Sequence, residues 1–337
     1  MKNISLIKIM LIAFALLGII IVFAAISTLG GNETETTDTV KNADGQDIYN
    51  LLVLGNDSEA KLSDVIMLVS LNVTNGDAYV MQIPRDTYFN YTDESYKKIN
   101  GAPRELGTEG FCNFLSESLG VNIDFYLSLT LDTVGKMVDT LGGIELDVPH
   151  DMDYDDPAQN LSIHIKAGEQ TLDGTSAVQF LRYRSGYVTG DLGRVNAQKL
   201  FMAAFIERLD ENKNPAKIFR LFKLLAQNCD TNITEQDVMR IASVATRYAD
   251  GEVFYVTAPG EAIQSQKSGA WYYVLSRTSM SELLSDYFGA KPGENVFDKD
   301  NKFVDKQVKS FYDIYEKRCE YKIYSDDDID NNLIDIH

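Results

Sequence analysis

Ile9–Leu29 is a run of 21 residues without a charged side chain, preceded by Lys2 and Lys8 and followed by Glu33, Glu35 and Asp38. At about 1.5 Å per residue, a helix of that length reaches across the hydrocarbon core of a bilayer. Residues 1–30 are therefore expected to be a short cytoplasmic N-terminus and one transmembrane helix. Lysines ahead of the span keep that end in the cytoplasm and send the rest of the chain outside. A cleaved signal peptide ending near Ala24 and Ala25 is the alternative, and the length of the apolar run counts against it. The remainder of the chain must then fold in an extracytoplasmic compartment.

Charge narrows what that remainder can bind. With 50 acidic and 31 basic residues the chain carries a formal net charge of −19. A generic nucleic-acid surface needs the opposite sign. Any specific anion site must be a local gathering of arginine held against the overall field. Cys112, Cys229 and Cys319 match neither a zinc knuckle nor a disulfide framework, so zinc is not expected and free thiols are the simpler reading.

Residues 31–46 are polar and read as a linker, and the folded part is expected to begin near Asp47. Three β-rich runs follow, Ile48–Gly55, Asp64–Val73 and Ala78–Pro84, with Asn75-Gly76 as a hairpin signal between the last two. If they form a meander, the end of the first, the start of the second and the end of the third share one sheet edge. Asp57, Asp64 and Arg85 fall at those places, a combination able to hold a divalent cation and a phosphate together; solvated loop charges are the plainer alternative.

Farther along, a helix near Thr108–Leu119, a strand Ile123–Leu131, a helix Asp132–Leu141 stopped by Gly142-Gly143 and a strand Ile144–Pro149 indicate a mixed central sheet covered by helices, an α/β fold. The acidic residues 150–160 read as an exposed loop rather than a calcium site. Arg182 and Arg184 share a face if their stretch is extended. Arg194 and Gln198 share a face at the start of an apolar-periodic helix, and Asp191 either caps that helix or faces the same pocket. Helices are expected around Ile218–Gln227, Thr234–Tyr248 and Ser279–Phe288, a strand at Glu252–Val256 and a loop carrying Trp271. Residues 289–337 are expected to be an acidic, loosely attached tail.

Taken in order, Leu62-Ser63-Asp64, Ile83-Pro84-Arg85-Asp86-Thr87, Lys98-Ile99-Asn100, Val138-Asp139-Thr140-Leu141-Gly142-Gly143, Leu172-Asp173-Gly174, Arg182-Tyr183-Arg184 and Asp191-x-Gly193-Arg194-x-x-x-Gln198 resemble the LytR-CpsA-Psr family. The likeness covers about residues 47–210 and, more weakly, extends to 288, which sets the expected domain at 47–288. It implies an α/β domain with an apolar, lipid-binding tunnel behind the membrane helix. It also implies a membrane-anchored phosphotransferase that moves a glycopolymer (a teichoic acid or a capsule polymer) from a polyprenyl-pyrophosphate carrier to peptidoglycan. The residues matching the family's site are Asp57 and Asp64 for Mg²⁺, and Arg85, Arg182, Arg184, Arg194 and Gln198 for the pyrophosphate. Asp86 and Asp191 join these arginines in the catalytic set. The family's usual Arg before Ser-Asp is Leu62 here. A polyprenyl-pyrophosphate hydrolase, or a non-catalytic lipid-carrier binder or envelope scaffold, are the competing readings.

Overall fold

The computed structural model describes residues 40–325 apart from 42–44, 46, 57–61, 73, 93–96, 158–160, 184–196, much of 198–214 and 235–251, 267 and 292–296. β1 (Val40–Lys41) leads into β2 (Asp47–Asn56), β3 (Ser63–Asn72) and β4 (Ala78–Gln82). α1 (Ala102–Leu119), β5 (Phe125–Thr130) and α2 (Leu131–Leu141) follow. Next come β6 (Ile144–Val148), β7 (Met152–Asp156), β8 (Leu161–Ile165), β9 (Gly168–Leu172) and α3 (Gly174–Arg182). The rest comprises α4 (Pro215–Asn228), β10 (Asp230–Thr231), β11 (Val253–Thr257), β12 (Gly260–Gln264), β13 (Trp271–Leu275), α5 (Arg277–Tyr287), α6 (Lys309–Glu316) and β14 (Tyr324–Ser325).

The main sheet has the order β10, β5, β2, β3, β4, β11, β14, with β1 paired to the start of β2. β2 to β4 form the expected antiparallel meander, while β5 and β11 add in parallel to β2 and β4. The carboxyl ends of β2, β4, β5 and β11 and the start of β3 therefore lie along one edge. The β3–β4 turn falls at Asn75-Gly76, where Gly76 has φ 85, a left-handed conformation that suits glycine.

Alternation along the strands feeds two cores. Leu51, Met67, Val69, Val80, Leu127 and Leu129 face α2, α3 and α4. Leu52, Leu54, Ile66, Leu68 and Met81 face α1, α5 and α6. On the first face α2 and α3 meet backbone to backbone: a Cβ added at Gly174 would lie 2.2 Å from the Gly135 carbonyl oxygen. The Gly174 N–H also donates to the Asp139 carboxylate at 2.8 Å. Asp173 caps α3 by accepting from the Ser176 N–H at 2.8 Å. Two of the resemblance motifs, around Asp139 and Asp173, thus hold helices together.

Several expectations are corrected. Within residues 150–160, Met152–Asp156 is not loop but a strand paired antiparallel with Leu161–Ile165. Met152, Ile163 and Ile165 turn into the core while Asp153 and Asp155 stay outside, and a dense run of Asp hid the alternation. Trp271 begins strand β13 of a second hairpin. Residues 297–325, expected within a loose tail, belong to the fold: Phe297, Phe303, Phe311, Ile314 and Tyr315 are buried and β14 pairs with β11. Their apolar residues are scattered among Lys and Asp, so the segment reads as polar until distant partners are brought to it. Among the described residues no helix is long and apolar enough to cross a membrane; Ile9–Leu29 lies outside them.

Candidate functional site

The carboxyl edge of the sheet is shaped by a β-bulge. Gly55 pairs with Val65 but Asn56 pairs with Ser63, so Asp64 is the extra residue, and such a residue leaves the regular alternation. Next to it, Pro84–Thr87 is a tight turn closed on the Pro84 carbonyl by the Thr87 N–H at 2.9 Å and the Thr87 hydroxyl at 2.6 Å. Arg85 and Asp86 occupy its two central positions.

The turn delivers Arg85 to Asp64: Nη1 lies 2.8 Å from Oδ1, with both side chains about one-fifth exposed at 22% and 21%. Asp86 stands 3.8 Å from Arg85 Nε and accepts from Lys98 Nζ at 2.6 Å. Lys98 is brought in by a strap across the turn, in which the Ile99 N–H donates to the Thr87 carbonyl and the Asn100 N–H to that of Arg85. Two acids and two bases thus alternate as Asp64, Arg85, Asp86 and Lys98. Lys98 was legible within a motif but had no assigned role. Its contact to Asp86 depends on the strap, which spacing does not reveal.

Beside this row, Asn56 Nδ2 donates to the Ser128 hydroxyl at 2.6 Å, and the Ser63 hydroxyl donates to Asn56 Oδ1 at 2.5 Å. α2 opens at the same edge, with Thr130 accepting from the Thr133 N–H at 3.3 Å. Gly174 lies against both Gly135 and Asp139, and Val178 against Gly135. α3 therefore runs back along α2 toward its start and carries Arg182, its last residue, in that direction.

Arg182 sits on a helix end rather than in an extended stretch, and Tyr183 after it is buried and extended. The condition set for a shared face with Arg184 is thus not met at Arg182. Asp57, Arg184, Asp191, Arg194 and Gln198 lie outside the described residues. The structure brings together Asp64, Arg85 and Asp86, and Arg182 makes no ion pair to them.

Asp64 is a carboxylate of the kind that binds hard divalent cations such as magnesium, and in this structure it is paired with Arg85 at 2.8 Å. Among the described residues no group of three acidic, His or Cys side chains gathers into a full metal cage. A cation at Asp64 would thus depend on ligands beyond the described set, such as substrate oxygens. Leu62, where the resemblance expects Arg, is half-buried just before Ser63.

An open sheet with polar groups at the carboxyl ends of its parallel strands is the arrangement in which α/β proteins bind ligands. Residues 22–287 match the model of the LytR_cpsA_psr family, and the chain belongs to that family. It is 27% identical over 225 residues to the polyisoprenyl-teichoic acid–peptidoglycan teichoic acid transferase TagV of Bacillus subtilis strain 168, covering 66% of this chain and 58% of that protein. To the similarly named TagU of Bacillus licheniformis it is 25% identical over 259 residues, covering 76% and 82%. The crystal structure of B. subtilis TagV matches with a TM-score of 0.60 at 25% identity, over 73% of this chain and 98% of that one.

Proposed function

We propose that this chain is a membrane-anchored phosphotransferase that moves a glycopolymer from a polyprenyl-pyrophosphate carrier to peptidoglycan outside the cytoplasmic membrane. The observation that carries this reading is the Arg85 turn, set against Asp64 at the carboxyl edge of the sheet. The names of the relatives, transferases of polyisoprenyl-linked teichoic acid to peptidoglycan, supply the substrate class.

In the proposed reaction an acceptor hydroxyl oxygen bonds to the phosphorus that carries the polymer. The bond from that phosphorus to the bridging oxygen breaks, and polyprenyl phosphate leaves. Negative charge grows on the leaving phosphate. Arg85, Arg182, Arg184 and Arg194 would supply the positive charge that meets it, and fixed guanidinium forks stabilise such charge more in the transition state than in the ground state. Gln198 donates to a phosphate oxygen. Asp86 or Asp191 accepts the proton of the acceptor hydroxyl. Magnesium, when present, supplies further positive charge on the phosphate oxygens, and Asp57 and Asp64 are the residues that would hold it. The aliphatic face beneath α2 and α3 is where the polyprenyl chain would lie, and Ile9–Leu29 would anchor the domain.

The test follows polymer transfer by the full chain in detergent, from a synthetic polyprenyl-pyrophosphate donor to peptidoglycan strands. Transfer should require both substrates and Mg²⁺. Mg²⁺ should bind weakly to the protein alone and more tightly once donor is present, and Asp64→Asn should remove that coupling. Release of phosphate at the same rate without acceptor would replace the reading with hydrolysis. Donor binding without turnover would replace it with a carrier-binding role. A reporter fused after Gly31 should be active outside the membrane, and cytoplasmic activity would overturn the compartment.

A further inference from the structure

Three polar side chains stand where the strands meet the carboxyl edge of the sheet, and none of them has a part in the reaction proposed above. Asn56 is the last residue of β2, Ser63 the first of β3, and Ser128 lies two residues before the end of β5. Both serines are buried. Apolar side chains would fill such positions without needing partners, whereas a buried amide or hydroxyl costs stability unless its bonds are made. Here the three satisfy one another: the Ser63 hydroxyl donates to Asn56 Oδ1 at 2.5 Å, and Asn56 Nδ2 donates to the Ser128 hydroxyl at 2.6 Å.

This staple falls at the β-bulge. On one side of the bulge a Cβ added at Gly55 would lie 2.9 Å from Val65 Cβ, so β2 and β3 approach this closely because residue 55 is glycine. On the other side Asn56 pairs with Ser63. Asp64 is therefore held between a close backbone approach and a directed hydrogen bond. The second arm of the amide, to Ser128, ties the same point to β5, where Asn56 is in register with Thr130, the cap of α2. A satisfied polar network of this kind fixes position more sharply than apolar contact does.

We propose that Asn56 is a positioning residue for Arg85. Its amide holds the bulge, the bulge presents Asp64, and the Asp64 carboxylate holds the Arg85 guanidinium at 2.8 Å. This rests on the transfer reading above and names the group on which its fixed arginine depends. An ordinary strand-end tie is the rival role. Such a tie would steady β2, β3 and β5 together, and its effect on the chemistry would not pass through Asp64.

A double-mutant cycle separates the two, in the full chain in detergent with the synthetic polyprenyl-pyrophosphate donor and peptidoglycan strands. Well below its thermal midpoint, Asn56→Ala should lower the transfer rate about tenfold and donor affinity severalfold, the scale set by a lost buried hydrogen bond. In an Asp64→Ala background the same change should cost nothing further, because its route to Arg85 is already cut. Ser128→Ala removes one arm only and should show a smaller loss with the same dependence on Asp64; it carries the test if Asn56→Ala does not fold. Asn56→Cys combined with Ser63→Cys places two thiols on cross-strand partners. An added oxidant that closes them into a disulfide should restore the rate, and a reductant should remove it again, since the covalent link holds the bulge as the amide did. Losses undiminished in the Asp64→Ala background make Asn56 a strand-end tie and overturn the proposal, as does an alanine variant with the wild-type rate or a disulfide that leaves the rate low. If the wild-type chain binds donor but transfers nothing, and donor affinity still follows this cycle, the transfer reading fails and the positioning role stands.

Discussion

The two faces of the sheet are closed in different ways. Under α1, α5 and α6, rings touch rings: Phe89 contacts Phe111, Phe114 and Phe303 with centroids 6.2, 5.3 and 4.8 Å apart, and Phe303 stacks on Phe297 at 5.3 Å. These residues come from chain segments up to some two hundred positions apart. On the other face, α2, α3, α4 and the paired strands β6–β9 and β7–β8 come from one stretch of chain. They pack Val134, Met137, Val138, Leu141, Ile144 and Ile163 against the strands. Arg208 and Lys217 cover that stretch's helix end, donating to the Gly143 and Leu141 carbonyls at 2.9 and 3.2 Å. One face is interlocked and ties the ends of the domain together. The other is aliphatic and local, and it is the face from which the arginine-bearing segment departs.

The largest effect should come from breaking the interlocked face. Phe89 is fully buried, and its removal leaves a cavity among rings that cannot collapse into it. Phe89→Ala should cost about 3–5 kcal/mol of stability, as large-to-small core changes do, read by urea unfolding of the domain after the linker. Met137→Ala on the aliphatic face should cost less, because flexible neighbours relax. If the two costs are equal, the contrast between the faces has no energetic content.

Next in size is a change at the edge between the faces. Arg85→Ala should lower the transfer rate by the equivalent of about 2–4 kcal/mol of transition-state stabilisation, with little change in thermal midpoint. Arg85→Lys should recover little, since an ammonium does not reproduce the planar fork. Unfolding of the alanine variant would assign Arg85 to the fold.

The same contrast explains what could be read from the sequence. The β2–β4 meander was legible because its strands are adjacent, alternate cleanly and are separated by Asn75-Gly76. The meeting of Asp64 and Arg85 followed from that meander. Lys98 needed the strap over Thr87, a contact between loops. Residues 297–325 needed the far end of the chain, because Phe297 and Phe303 gain meaning only against Phe89. The pairing of Met152–Asp156 with Leu161–Ile165 was obscured because Asp153, Tyr154 and Asp155 are exposed in a row and the buried positions are few. Local order was visible, and order that depends on distant partners was not.

A third prediction concerns Asp298, which holds the C-terminal segment to the interlocked face. It is 3% exposed, and its carboxylate accepts from the Lys302 and Phe303 N–H groups. Burial pushes its pKa up to about 6. The folded state then binds this proton more tightly than the unfolded state does, so stability falls as pH rises from about 4 to 6 and stays lower above that. Asp298→Asn keeps the acceptor and removes the charge. The variant should lose that slope and gain about 1–3 kcal/mol over the wild type at pH 8. Parallel pH profiles for the two proteins would show that Asp298 is neutralised by its surroundings.

The smallest expected effect lies on the aliphatic face. Asp173 caps α3, and the hydrogen bond from Ser176 holds its carboxyl below the usual range. Its contribution is therefore present above the unfolded pKa and is lost as pH falls through the lowered folded value. Asp173→Ala leaves the first N–H groups of α3 to water and should cost about 0.5–2 kcal/mol. Because α3 ends at Arg182, loosening its start should also blur the position of that guanidinium. Donor affinity should fall severalfold while the Arg85 edge, anchored on the sheet, is untouched. Asp173→Asn, which caps nearly as well, should restore both stability and affinity. Stability lost without any change in donor affinity would separate α3 from the binding face and leave Arg182 as an ordinary helix-end cation.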